Sequence, residues 1–202
     1  GRALTTDGFL AVFVLAAIYS WFLYLRAYKK RYLLLFYLML GFGFLTKGPV
    51  TLIVPVVVLV FQKISQKTEF GNGRIHLLGI LVFLLVGLSW FVMLYIEDRQ
   101  FLDYFVFKHT IERFSSDTFK RSQPFWFYMG IVILTAFPWF LVIVSRAKNI
   151  WTSKNKVLLL LMAWVFIPLL FFSLSQSKLL LYILPVYPGI ALTAASVWMG
   201  LK

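Results

Sequence analysis

Long apolar runs alternate with short polar gaps along the whole chain, at lengths that fit membrane-crossing helices rather than the half-buried helices of a soluble domain. The runs cover residues 8–25, 32–45, 50–61, 76–96, 125–145, 157–174 and 179–199, and none contains Asp, Glu, Lys or Arg. They predict an all-α fold: a polytopic transmembrane helix bundle of about seven spans, read as one membrane domain over residues 1–202. The second and third runs are short for a hydrocarbon core that needs ~20 residues. A hairpin that stops short of a full crossing, and a count of six, therefore stay open. Pro55, Pro138, Pro168, Pro185 and Pro188 fall inside runs, where a missing N–H kinks a helix. Two of them flank Val186 and Tyr187, so the last span is expected to bend near its outer half.

Composition strengthens this reading. Of 202 residues 61% are hydrophobic and 19% aromatic, with a mean hydropathy of +0.88, against ~45–50% apolar residues in soluble domains. There is no cysteine, which excludes disulfides and thiolate metal sites within the chain. The net charge of +13 would suggest nucleic acid in a soluble protein. Here the charges sit in the gaps between spans and serve topology instead, so no nucleic-acid partner is expected.

If the spans alternate, one side receives the gaps at 26–31, 62–75 and 146–156 plus the final lysine, with twelve basic residues and one acid, Glu69. The other side receives eight basic residues and six acids. Lysine and arginine excess marks the cytoplasmic face. Asp7, Lys47, Lys178 and the long polar loop at 97–124 are then external. That loop holds five of the seven acids and His109.

Ionisable residues at the mouth of a membrane bundle are candidates for function. Each also has a plainer reading. Asp7 can cap its helix, and Lys47 and Lys178 can snorkel to the interface. His109, Glu112 and Arg113, at i, i+3, i+4, share one face if helical. His109 can ligate a divalent metal or titrate near neutral pH, or the group can be a solvated turn. His76, on the inner side, reads as an interfacial residue. Trp126 and Tyr128 open the fifth span as interfacial anchors. No Walker loop, dinucleotide fingerprint, HExxH or serine elbow occurs, so the driving energy is expected from an activated substrate in the membrane.

Five strings in one order carry a family resemblance: Leu4-Thr5-Thr6-Asp7, Phe44-Leu45-Thr46-Lys47-Gly48-Pro49, His109-Thr110-Ile111-Glu112-Arg113-Phe114, Gln123-Pro124-Phe125-Trp126-Phe127-Tyr128 with Phe137-Pro138-Trp139 later, and Ser177-Lys178 followed by Tyr182-Ile183-Leu184-Pro185 and Pro188. The chain resembles bacterial polyprenyl-phosphate-sugar-dependent glycosyltransferases of the protein-mannosyltransferase and aminoarabinose-transferase type, in the GT-C superfamily. The resemblance implies inverting transfer of a sugar from a polyprenyl-phosphate carrier to a lipid, glycan or protein acceptor, at the outer face of the bacterial cytoplasmic membrane. It assigns Asp7 and His109 to catalysis and Lys47 and Lys178 to the lipid phosphate; Glu112 and Arg113 join His109 as catalytic candidates, Tyr182 joins the substrate-binding candidates, and Trp126 and Tyr128 can bind substrate by stacking on a sugar ring besides anchoring. It also implies a divalent metal at His109, with the partner ligand and the main catalytic carboxylate upstream. The chain is thus expected to be the middle-to-C-terminal membrane part of a longer enzyme. A lipid-linked sugar flippase and a non-catalytic membrane subunit are the alternatives.

Overall fold

The computed structural model describes residues 6–97, 123–146 and 155–200. Among these the secondary structure is helical throughout, with no strand. Helix α1 spans Thr6–Ala27. Its buried Leu10, Val14, Ala17, Ile18, Trp21 and Tyr24 recur every three or four residues, while Phe9, Val12, Leu15 and Tyr19 are exposed. A helix apolar all round suits a bundle whose outer surface is lipid.

Helix α2 (Lys30–Lys47) returns along α1, and a 3₁₀ turn over Gly48–Leu52 leads into α3 (Ile53–Ser65). The 36 residues from Lys30 to Ser65 are long and apolar enough for one span, but they double back at this turn. Trp21 shows the reversal: its ring lies 5.4 Å from that of Phe36 in α2, and its indole donates to Gln62 of α3 at 2.6 Å. The short second and third runs are therefore the two arms of a hairpin. Gly48, at φ 66°, supplies the positive φ at the reversal, and Pro49 opens the 3₁₀ turn.

Helix α4 (Gly73–Gly87) starts at the Asn72 cap, whose side chain accepts from the Arg74 N–H at 2.9 Å. It lies against α2 through small residues: a Cβ on Gly41 would meet Val86 at 2.9 Å, and one on Gly79 would collide with the Tyr37 ring. Such close backbone approach replaces a hydrophobic drive that lipid does not provide.

The fourth and fifth apolar runs are each broken. Helix α5 (Ser89–Glu97) leaves α4 at 46°, and helices α6 (Phe127–Thr135) and α7 (Trp139–Ser145) meet at 105°. Helix α8 (Lys156–Leu174) is capped by Asn155, which accepts from the N–H groups of Val157 and Leu158 at 2.9 and 3.3 Å. The last run begins as a 3₁₀ segment, Leu180–Val186, and continues as α9 (Tyr187–Trp198). This change of helix type lies where Pro185 and Pro188 predicted a bend. By length and composition the described helices admit four spans, or up to six if each bent pair is one.

Two cores follow. One, around Trp21, Tyr24, Leu33 and Phe36, ties α1 to α2, α3 and α8; the other, around Tyr128, Phe172, Ile183 and Val186, joins α6, α8 and the 3₁₀ segment.

Candidate active site at one end of the bundle

Asp7 is in the first turn of α1 and Lys47 in the last turn of α2. Because the helices are antiparallel neighbours, residues 40 apart in sequence meet at one end. The Lys47 ammonium bonds the Asp7 carboxylate directly, with side chains 17% and 11% exposed. The same ammonium lies 4.1 Å from the centre of the Tyr182 ring, a cation–π contact. Tyr182 belongs to the 3₁₀ segment, so this one cation joins three parts of the fold.

Lys178 precedes that segment. It is buried and donates to the Gln123 carbonyl at 3.0 Å, just ahead of α6. Burial holds its ammonium below the ordinary lysine value. Next to it the Ser177 hydroxyl is buried without a hydrogen-bond partner among the described residues, as is the Thr51 hydroxyl in the 3₁₀ turn. A buried polar atom with nothing to bond is uncommon. The sequence assigns no role to Ser177, Thr51 or Gln123, although Ser177 and Gln123 stand within strings that carry the family resemblance.

Tyr128 requires a correction. Its ring is 0% exposed, and its hydroxyl is engaged with Leu179, donating to the carbonyl at 3.0 Å and accepting from the N–H at 3.1 Å. A ring covered in this way has no face for a sugar to stack on. Trp126 is its opposite, 68% exposed at the helix start. The structure thus brings Asp7, Lys47 and Tyr182 into direct contact. Tyr128 joins them through Leu179, whose carbonyl also accepts the Tyr182 N–H at 3.1 Å. His109, Glu112 and Arg113 lie outside the described residues.

For a divalent metal the described residues fit poorly. No group of three His, Cys, Asp or Glu side chains is placed to hold one among them, and the Asp7 carboxylate is committed to Lys47. The His109 expected to ligate a metal lies outside the described residues.

The chain has recognisable relatives among known proteins. The profile of the family described as Dolichyl-phosphate-mannose-protein mannosyltransferase matches residues 1–93. An undecaprenyl phosphate-alpha-4-amino-4-deoxy-L-arabinose arabinosyl transferase of Aeromonas hydrophila is 36% identical over 81% of this chain and 30% of its own length. That of Pectobacterium atrosepticum is 32% identical over 96% of this chain and 36% of its own. These matches support a GT-C membrane glycosyltransferase of this type. The chain spans about a third of the length of these curated relatives.

Among solved structures, ArnT from Cupriavidus metallidurans bound to undecaprenyl phosphate superposes with a TM-score of 0.72 at 23% identity, over 98% of this chain and 36% of that one. The apo form gives 0.68. The GT-C-like helical fold expected from the sequence is thereby shown, and the apolar helices together with the curated relatives support an integral membrane protein.

Proposed function

We propose that the protein to which this chain belongs transfers a sugar from a polyprenyl-phosphate carrier to an acceptor hydroxyl at the outer face of the bacterial cytoplasmic membrane, with inversion. The observation that carries the proposal is the largely buried Asp7–Lys47 pair against the Tyr182 ring, with a buried ammonium, Lys178, on the neighbouring loop. The relatives are named for transfer from undecaprenyl phosphate, and a lipid phosphate must reach its enzyme at the interface.

The chemistry asks for two things. A cation must stabilise the charge that grows on the phosphate as the bond from its oxygen to the anomeric carbon breaks. A carboxylate must take the proton of the attacking hydroxyl. Lys47 and Lys178 serve the first in this reading. Asp7, the buried acid among the described residues, serves the second. As Lys47 turns towards the phosphate, its hold on Asp7 relaxes. His109, Glu112 and Arg113 are proposed to complete the site from the external loop, and Trp126 to anchor it at the interface.

The test uses the full-length protein in liposomes with undecaprenyl-phosphate-linked sugar and a hydroxyl acceptor. Alanine at Asp7, Lys47, His109 and Lys178 in turn should lower transfer, and wild-type rates in all four variants would remove the assignment. Movement of the lipid carrier without any sugar transfer would make the protein a transporter instead.

A further inference from the structure

We propose that Tyr128 and Trp164, neither of which reaches the open site, are positioning residues that hold the 3₁₀ segment Leu180–Val186 in register; this rests on the function proposed above. A seven-residue 3₁₀ segment is weakly self-supporting, because its hydrogen bonds are poorly directed. This one has a further deficit at each end.

At its C-terminal end, the 3₁₀ pattern would give the Pro185 carbonyl a bond from the N–H of residue 188. Residue 188 is proline and has no N–H. The Trp164 indole, from the middle of α8 and 2% exposed, donates to that carbonyl at 2.9 Å. At the N-terminal end Leu179 is extended, at φ −124° and ψ 142°, so its N–H lies outside the helical ladder. The Tyr128 hydroxyl accepts that N–H at 3.1 Å and donates to the Leu179 carbonyl at 3.0 Å. That carbonyl also accepts the Tyr182 N–H at 3.1 Å.

The chain of contact therefore runs from Tyr128 through Leu179 to Tyr182, and from Tyr182 to Lys47. Lys178 sits one residue before the anchored Leu179. Two side chains from two other helices thus fix the segment on which Tyr182 and Lys178 depend, each supplying a bond that the backbone lacks there.

The experiment compares Tyr128→Phe and Trp164→Phe with Trp21→Phe in the full-length protein in nanodiscs. Trp21 is the matched control: also buried, it loses an indole bond, to Gln62 at 2.6 Å, at the opposite end of the bundle. Hydrogen exchange across residues 179–186 and the dissociation constant for undecaprenyl phosphate are both read. Tyr128→Phe and Trp164→Phe should each speed exchange and weaken undecaprenyl phosphate binding about tenfold, the worth of one buried hydrogen bond. Trp21→Phe should change neither. Unchanged exchange in Tyr128→Phe, or an equal loss of affinity in Trp21→Phe, overturns the proposal. If the unaltered protein fails to bind undecaprenyl phosphate, the functional reading falls, and the exchange rates still decide whether the two side chains hold the segment.

Discussion

The two ends of the bundle are built from opposite materials. At the inner end Trp21, Tyr24, Tyr37, Phe70 and His76 form a closed aromatic network. The Tyr24 hydroxyl donates to the Phe70 carbonyl at 3.1 Å, and the two ring nitrogens of His76 meet that same carbonyl at 2.6 Å and the Tyr37 hydroxyl at 2.9 Å. Phe70 stands edge-on to Trp21 at 4.9 Å. At the other end, proposed to face outward, lie a largely buried ion pair, a second, buried lysine, and the buried Ser177 and Thr51 hydroxyls, which bond nothing among the described residues. Burying charge and unbonded hydroxyls costs stability. The inner end is built to fasten four helices, whereas the outer end retains polarity that packing alone would remove.

The sharpest way to break this contrast is Lys47→Ala. It removes the cation proposed to meet the phosphate and leaves the Asp7 carboxylate buried without it. Sugar transfer by the full-length protein should fall ~100-fold or more. Stability should fall by roughly 3 kcal/mol, read from the unfolding midpoint. If Lys47→Ala transfers normally, the outer end is structural too.

Gln62→Leu is the counterpart at the inner end. It strips the Trp21 indole of its acceptor, so stability should drop by about 1–3 kcal/mol, while transfer per folded molecule stays within about twofold. A large fall in turnover without unfolding would show that the two ends are coupled.

Asn155→Ala removes the cap of α8 and should cost about 1 kcal/mol, again with transfer unchanged. It calibrates what a fastening residue is worth in this bundle.

The smallest effect is one of pH. Burial lowers the Lys178 value from the ordinary 10.5, so in the alkaline range below 10.5 the unfolded chain holds more protons than the folded one. Stability should therefore rise slightly with pH across that window, and undecaprenyl phosphate binding should weaken as the ammonium is lost. Lys178→Met should flatten both trends. A stability slope that survives in Lys178→Met must come from another group.

The apolar runs show where the helices are, because every crossing needs its own charge-free stretch. The paired placement of Asp7 and Lys47 was accessible through alternation of sides. The bends were less so: α4 and α5 part at Leu88 with no proline present, and the hairpin at Gly48–Leu52 reads in sequence as two runs of ambiguous length. Tyr128 was misjudged because an aromatic residue at a span start resembles an interfacial anchor, and only packing shows its ring to be covered. His76 read as interfacial, yet both ring nitrogens are bonded within the protein, since Phe70 and Tyr37 arrive from other elements and no local spacing announces them.

The central claim is that distant charged residues gather at one external end, opposite the aromatic network. Cysteine labelling in intact cells tests it most directly. In a cysteine-free background of the full-length protein, Gln123→Cys and Asn72→Cys place exposed thiols beside Lys178 and beside the inner network. A membrane-impermeant maleimide should modify position 123 from outside and position 72 only after permeabilisation. Equal reaction of both positions in intact cells would contradict the account.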